Sequence, residues 1–198
     1  MGHISCISLI VEQINEHANL KKIALYFSFY GFQSCRYGDP QKRRRVFVTA
    51  CRNNLLLHTF PRETHDSDKP VTVSEALDDL SVVDPVPGNE FVVLPDTGKV
   101  IHNHGVNGTA MKSEVEKLKA DEPAHTVRRK DNIKHYKHER TLTIREMARL
   151  QSFPDDFQFC GSRCHHVNGI GNAVPVKIAT VLASSIHSMY STKSSRSV

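Results

Sequence analysis

Six of the nine prolines in this 198-residue chain, Pro61, Pro70, Pro85, Pro87, Pro95 and Pro123, fall between Arg52 and His138, and Gly88, Gly98, Gly105 and Gly108 lie among them. Proline removes a backbone donor and fixes φ, so no long helix or central strand can run through such a stretch. The middle of the chain, residues 52–138, is therefore expected to be irregular and to carry only short elements. Val71 to Leu80 reads as a short helix with Ser74 as its N-cap, and Phe91 to Leu94 as a strand ending at Pro95. Lys112 to Lys119 reads as a short charged helix, too polar to anchor a core.

Regular structure must then come from the flanks. Ile7, Ile10, Val11 and Ile14 recur at helical spacing, which predicts an amphipathic helix over Ile4 to His17. Ile23 to Phe29 is dense in aromatic and branched residues, and fits a helix closed by Gly31 as well as it fits a strand. A turn signal at Tyr37-Gly38-Asp39-Pro40 precedes the basic run Lys42 to Arg45. Val46 to Ala50 has strand propensity, so the basic side chains are expected at the mouth of a buried strand. Thr143 with Glu146 three residues on has capping-box spacing, for a helix reaching about Gln151 and stopping before Pro154. Pro175 suits a first helical turn, and Ile178, Val181, Leu182 and Ile186 form one apolar stripe after it. The serine-rich end after Tyr190 is expected to be a frayed tail.

Lys and Arg number 26 against 21 Asp and Glu, a net charge of +5 that permits a polyanionic partner without demanding one. No apolar run approaches the roughly 20 residues of a membrane helix, and the amino end lacks a signal-peptide pattern. The expectation is no membrane association and an intracellular location, the nucleus if the source is eukaryotic. Five scattered cysteines, Cys6, Cys35, Cys51, Cys160 and Cys164, are an odd number and argue for free thiols. Cys160, Cys164, His165 and His166 lack the Cys-x-x-Cys spacing of a zinc finger, and no metal site is expected.

Three blocks carry chemistry. The first is Tyr37-Gly38-Asp39-Pro40-Gln41-Lys42-Arg43-Arg44-Arg45-Val46-Phe47. The second runs from Arg140-Thr141-Leu142-Thr143-Ile144-Arg145-Glu146 through Met147-Ala148-Arg149-Leu150-Gln151-Ser152-Phe153-Pro154-Asp155. The third is Gly171-Asn172-Ala173-Val174-Pro175. In this order they resemble the Gln-x-Arg-x-Arg, Arg-x-Leu-Thr-x-Arg-Glu and Gly-Asn-Ala-Val-Pro blocks of the DNA cytosine-5 methyltransferases. Thr59 to His65 is similar to that family's Pro-rich Thr-His segment.

The resemblance implies an α/β fold: an incomplete Rossmann-like, S-adenosylmethionine-dependent methyltransferase domain with an inserted irregular target-recognition region. Residues 1–51 would be the rear part of the catalytic domain, 52–138 the target-recognition region, 139–190 the closing part and 191–198 a tail. It also implies double-stranded DNA as partner and S-adenosylmethionine as methyl donor. Arg45 would stabilise the target cytosine, with Gln41 and Arg43 beside it; Asn172, Ala173 and Val174 would lie at the cofactor; Arg140, Arg145, Glu146 and Arg149 would support the recognition region.

The family's nucleophile stands in a Pro-Cys pair, but the five cysteines here follow Ser5, Ser34, Ala50, Phe159 and Arg163. Its ring-protonating glutamate stands in a Glu-Asn-Val block that this sequence does not contain, and its glycine-rich cofactor loop has no counterpart here. The expectation is a fragment, a truncated product or one subunit of a split enzyme, inactive alone and completed by a second polypeptide. A non-catalytic DNA-binding or regulatory subunit is the rival reading. Two departures from the family pattern are local. Asp39 replaces an apolar residue, and only Ser34, Cys35 and Arg36 separate Gln33 from Tyr37, a gap short enough to disturb the strand order.

Overall fold

The computed structural model describes residues 25–52, 59–66, 68–80, 91–93, 100–102, 116–129 and 133–194. The helix expected over Ile4 to His17 lies outside them. The elements are β1 (Leu25–Gln33), β2 (Gln41–Lys42), β3 (Arg44–Arg52), α1 (Val73–Leu77), β4 (Phe91–Val93), β5 (Val100–His102), β6 (Ala124–His125), α2 (Ile144–Leu150), α3 (Arg163–Asn172) and α4 (Val176–Ser194).

The segment left open between helix and strand is a strand, and it runs straight through Gly31. β1 pairs antiparallel with β3 from Leu25↔Arg52 to Gln33↔Arg44. The ladder pairs the backbone groups that the two strands turn toward each other, so a glycine within it does not end it. The short gap before Tyr37 does not disturb this pairing. A 3-10 turn over Ser34–Tyr37 spans it, ended by Gly38 at φ 85°. That left-handed geometry suits glycine, and a Cβ on Gly38 would stand 2.5 Å from the His65 ring.

The basic run is not the mouth of a buried strand. Arg44 and Arg45 are themselves in β3, and Val46 and Val48 are 61% and 47% exposed on one face of the ribbon. The other face packs: Phe32 and Tyr37 form a cluster with Ile178 and Leu182 of α4, flanked by Phe47 and Phe60. The α4 stripe therefore docks as its spacing requires, although Ile186 at its far end is 40% exposed. The helix continues past Tyr190 to Ser194.

The main core joins the middle of the chain to the closing segment. Val73, Leu77, Leu118, Ala124 and Val127 pack with Leu142, Ile144, Met147, Leu150, Val167 and Ile170. Two expectations in this region are corrected. The N-cap of α1 is Thr72 rather than Ser74, because Thr72 places Glu75 at the third helical position, where a reciprocal capping box forms. The Ser74 hydroxyl donates instead to Ala120 O, 2.9 Å away. The part of Lys112–Lys119 that the structure describes is extended, with Lys117 bridged to Lys134. Leu118 N donates to Lys134 O at 3.1 Å, and Leu118 is buried in the core despite its polar neighbours.

The capping box at α2 forms as expected, and it is buried. Thr143 Oγ1 accepts from Glu146 N at 3.1 Å, and Glu146 Oε2 accepts from Thr143 N at 2.7 Å. Thr143→Ala is expected to cost about 1 kcal/mol, the usual worth of such a cap, read as a lower urea midpoint with unchanged slope. An unchanged midpoint would show that Glu146 alone holds the helix start. Among the described residues no single helix is long and apolar enough to cross a membrane.

Candidate nucleic-acid interface

The four residues of the basic run meet four different fates. Lys42 pairs with Glu122 at 2.9 Å. Arg44 is exposed on the same ribbon face as Val46. Arg43 turns inward, only 3% exposed, where Nη1 donates to Val127 O at 2.8 Å and Nη2 to Gly171 O at 3.0 Å. Burial, and then the charge of Arg45, bring the Arg43 guanidinium down to about 10. Arg45 is exposed, and among the described residues its guanidinium donates to the adjacent Arg44 O alone.

Gln41 is fully buried and organises the same junction. Its Nε2 donates to Leu150 O at 2.9 Å and to Gln151 Oε1 at 2.8 Å, and its Oε1 accepts from Val127 N at 3.3 Å. Gln151 Nε2 passes the chain on to Ile170 O at 2.6 Å. Gln41 and Arg43 thus act on neighbouring segments through polar groups, whereas Arg45 faces open space.

These bonds bring the three sequence blocks to one place. A cleft of about 340 Å³ is lined by Arg43, Arg45, Thr126, Arg128, Arg129 and Asn172, closed at its base by Val127 and Gly171. No acidic residue lines it among the described residues. On the other side of Arg45 a second hollow, of about 560 Å³, opens among Gly31, Gln33, Arg36, Arg44 and Val46.

Arg140, Arg145, Glu146 and Arg149 stand away from this cleft, engaged with protein. Arg140 makes a bidentate pair with Glu146, both contacts at 2.8 Å. Arg145 donates to Pro154 O and Phe157 O at 3.0 and 2.7 Å and lies over the Phe159 ring. Arg149 binds both oxygens of Asp155, at 2.8 and 2.9 Å, and also Asp79. Together they fasten α2 to the loop that follows it and to the end of α1.

Two polar features were not read from the sequence. Ser152 adopts φ 57° directly after α2, and its hydroxyl donates to the buried Asp39. The second is α3, which was not anticipated because Gly169 and Gly171 fall inside it. Gly171 is there for contact: a Cβ would lie 2.5 Å from Arg129 N and 2.6 Å from Arg128 C. The close approach of the 127–129 backbone to α3 is what shapes the cleft. Cys160, Cys164 and His165 are exposed while His166 is buried, and the thiols are free.

Asn172 is exposed at the end of α3, with Ala173 half-buried and Val174 44% exposed after it. Asn172 lines the cleft, and Ala173 and Val174 do not. The neighbouring cleft is cationic, complementary to an anion and not to a sulfonium cation.

The family model described as C-5 cytosine-specific DNA methylase matches residues 15–188, and the chain belongs to that family. Its members use S-adenosylmethionine as methyl donor. Among its relatives are the type II methyltransferase M.AplI of Arthrospira platensis, 30% identical over 196 residues, and M.MthTI of Methanothermobacter thermautotrophicus, 30% identical over 179 residues. These alignments cover 94% and 76% of this chain and 52% of each relative. The chain therefore spans about half the length of these curated relatives. A crystal structure described as a DNA modification methyltransferase encoded within an Escherichia coli prophage shares the fold. Its TM-score is 0.71 at 20% identity, over 90% of this chain and 64% of that one.

Proposed function

We propose that this chain serves in the transfer of a methyl group from S-adenosylmethionine to carbon 5 of cytosine in double-stranded DNA, supplying the target-recognition region and the wall of the site that faces the flipped base. The observation that supports this reading most directly is the pair of hydrogen bonds from Arg43 to Val127 O and Gly171 O, which sets Arg45, the 126–129 loop and Asn172 around one cationic cleft. Residues 52–138 are assigned to target recognition, 1–51 and 139–190 to the catalytic domain, and 191–198 to a tail.

Carbon 5 of cytosine becomes nucleophilic once a thiolate adds at carbon 6, and the ring carbonyl gains negative charge in that step. The base must leave the duplex to be reached. A guanidinium held at the carbonyl lowers the energy of the addition by fixed electrostatic complementarity, and Arg45 is the exposed arginine of the block that lines the cleft. The thiolate and the ring-protonating carboxyl have no candidates in Pro-Cys or Glu-Asn-Val form in this sequence. In this proposal a second polypeptide segment carries them, together with the pocket for the methyl donor.

Incubated alone with S-adenosylmethionine and duplex DNA, this chain is expected to transfer no methyl groups. Mixed with a polypeptide bearing the Pro-Cys and Glu-Asn-Val blocks, it should restore transfer. In that mixture Arg45→Ala should lower kcat by about 10²–10³-fold, with a much smaller change in DNA affinity, as for a group acting in the transition state. Methyl transfer by the chain alone would overturn the assignment. DNA binding without transfer in the mixture would instead favour a non-catalytic binding subunit, the reading to which the absent Pro-Cys pair also points.

A further inference from the structure

The segment from Ala124 to Arg129 is held on a fixed track. β6 pairs parallel with β2, Gln41↔Ala124 and Lys42↔His125. Ala124 N donates to Pro40 O at 2.9 Å, Thr126 Oγ1 to Lys42 O at 2.9 Å, and Val127 O accepts from Arg43. The track ends in Arg128 and Arg129, pressed against Gly171 so closely that no Cβ fits between them.

Both arginines are exposed, both line the cleft that holds Arg45, and neither makes a hydrogen bond or ion pair with another described residue. Most other basic side chains nearby are engaged: Lys42 and Lys119 with Glu122, Lys117 and Lys134 with Glu139. Holding the four guanidinium groups of Arg43, Arg45, Arg128 and Arg129 around one cleft, with no acid among the described residues that line it, is costly unless an anion offsets them. A flexible tail would place such charges anywhere. Here the backbone bearing them is pinned on one side by β2 and on the other by α3.

We propose that Arg128 and Arg129 form a clamp for the DNA phosphodiester backbone, gripping the strand beside the nucleotide presented to Arg45. This rests on the DNA reading above and assigns to it two residues outside the three sequence blocks. Each guanidinium presents a planar fork suited to two phosphate oxygens. The contacts would fix the strand's position without reading its sequence.

The test is DNA binding by the full chain, measured by anisotropy of a labelled duplex across a salt series. Arg128→Gln/Arg129→Gln is compared with Lys117→Gln/Lys119→Gln, which removes the same formal charge from side chains already paired with Glu139 and Glu122. Each lost phosphate contact lowers the slope of log K against log salt by about 0.9, so the arginine pair should lose about 2 units of slope, and the lysine pair much less. Arg128→Lys/Arg129→Lys should recover most of the slope, since the charge is kept. Equal losses in the arginine and lysine pairs would reduce the effect to net charge and overturn the clamp. An unchanged slope in the arginine pair, with wild type still binding, would overturn the clamp alone. Failure of the folded wild type to bind at low salt would overturn the DNA reading itself.

Discussion

Asp39→Asn is expected to stabilise the chain by about 2 kcal/mol above pH 7, and by progressively less towards pH 4. Asp39 has no exposed surface; its Oδ1 accepts from Ser152, and its Oδ2 is buried without a partner. Burial pushes its carboxyl up to about 6, against partial relief from the Ser152 hydroxyl and from the charge and backbone N–H of Lys177. An acid whose folded pKa lies above its ordinary value of 3.8 keeps a proton that the unfolded chain has released. Stability therefore falls as pH rises from about 4, and the whole penalty, about 2 units at 1.36 kcal/mol each, is present above the folded pKa. Asparagine keeps an oxygen for Ser152 and cannot ionise, although its NH2 group, buried where Oδ2 has no hydrogen-bond partner, offsets part of the gain.

His135 pulls the other way. Its ring is fully buried against Tyr136, and Nδ1 accepts from the backbone N–H groups of Lys137 and His138. Burial holds the ring down at about 4. Glu146, 3.6 Å from Nε2, attracts a proton to it, but that carboxylate is already committed to Arg140 and to its cap, so the ring is neutral at pH 7. A histidine with a lowered folded pKa contributes stability that is complete above its ordinary 6.5 and is lost as pH falls towards 4. The two slopes nearly cancel between about pH 4 and 6 in the wild type. Asp39→Asn should uncover a curve that rises with pH, and His135→Gln one that falls. Urea midpoints taken from about pH 4.5 to about pH 8 would read both. A gain from Asp39→Asn that is equal at every pH would show that ionisation of Asp39 is not the cause.

What the sequence shows and what it hides divide along one physical line. Side-chain patterns that act locally are visible: the Thr143–Glu146 box, the stripe of Ile178, Val181 and Leu182, and the three blocks by their spelling. The choice of Thr72 over Ser74 turned on which residue sets a glutamate three positions on, a distinction the letters contain once the box is sought. Contacts to backbone carbonyls leave no such trace. Nothing about Val127 or Gly171 as residue types says that their oxygens hold Arg43, and so the cleft those bonds create was not visible. The α3 helix was hidden by two glycines that are poor helix formers, one of which is fixed by the passing backbone of Arg128 and Arg129. Asp39 stood out as a departure in the spelling, but its cost follows from its burial, which the spelling does not give.

Arg43→Ala is expected to cost about 4 kcal/mol, and Arg43→Lys about 2 kcal/mol, because the guanidinium joins the link between β2 and β3 to both Val127 O and Gly171 O. Two opposing terms set the figure. Burial and then the charge of Arg45 lower its pKa from 12.5 to about 10, so that holding the charge there costs about 3 kcal/mol. Two charge-assisted hydrogen bonds return about 1.5–3 kcal/mol each, so the native arrangement is close to neutral by itself. Deletion is not neutral, since it strands two buried carbonyls at about 1–3 kcal/mol each and leaves a cavity in place of a long side chain. Lysine keeps the charge but, without the fork, reaches one carbonyl and abandons the other. Denaturant unfolding of the three proteins gives these differences, and the order wild type, Lys, Ala is the expectation. The Ala variant should also release the 127–129 loop from α3, so that its DNA affinity falls although Arg45, Arg128 and Arg129 are all retained. A loss of stability under 1 kcal/mol with DNA binding intact would mean that water replaces the guanidinium at both carbonyls, and that the cleft is held together by the Gln41–Gln151 bonds instead.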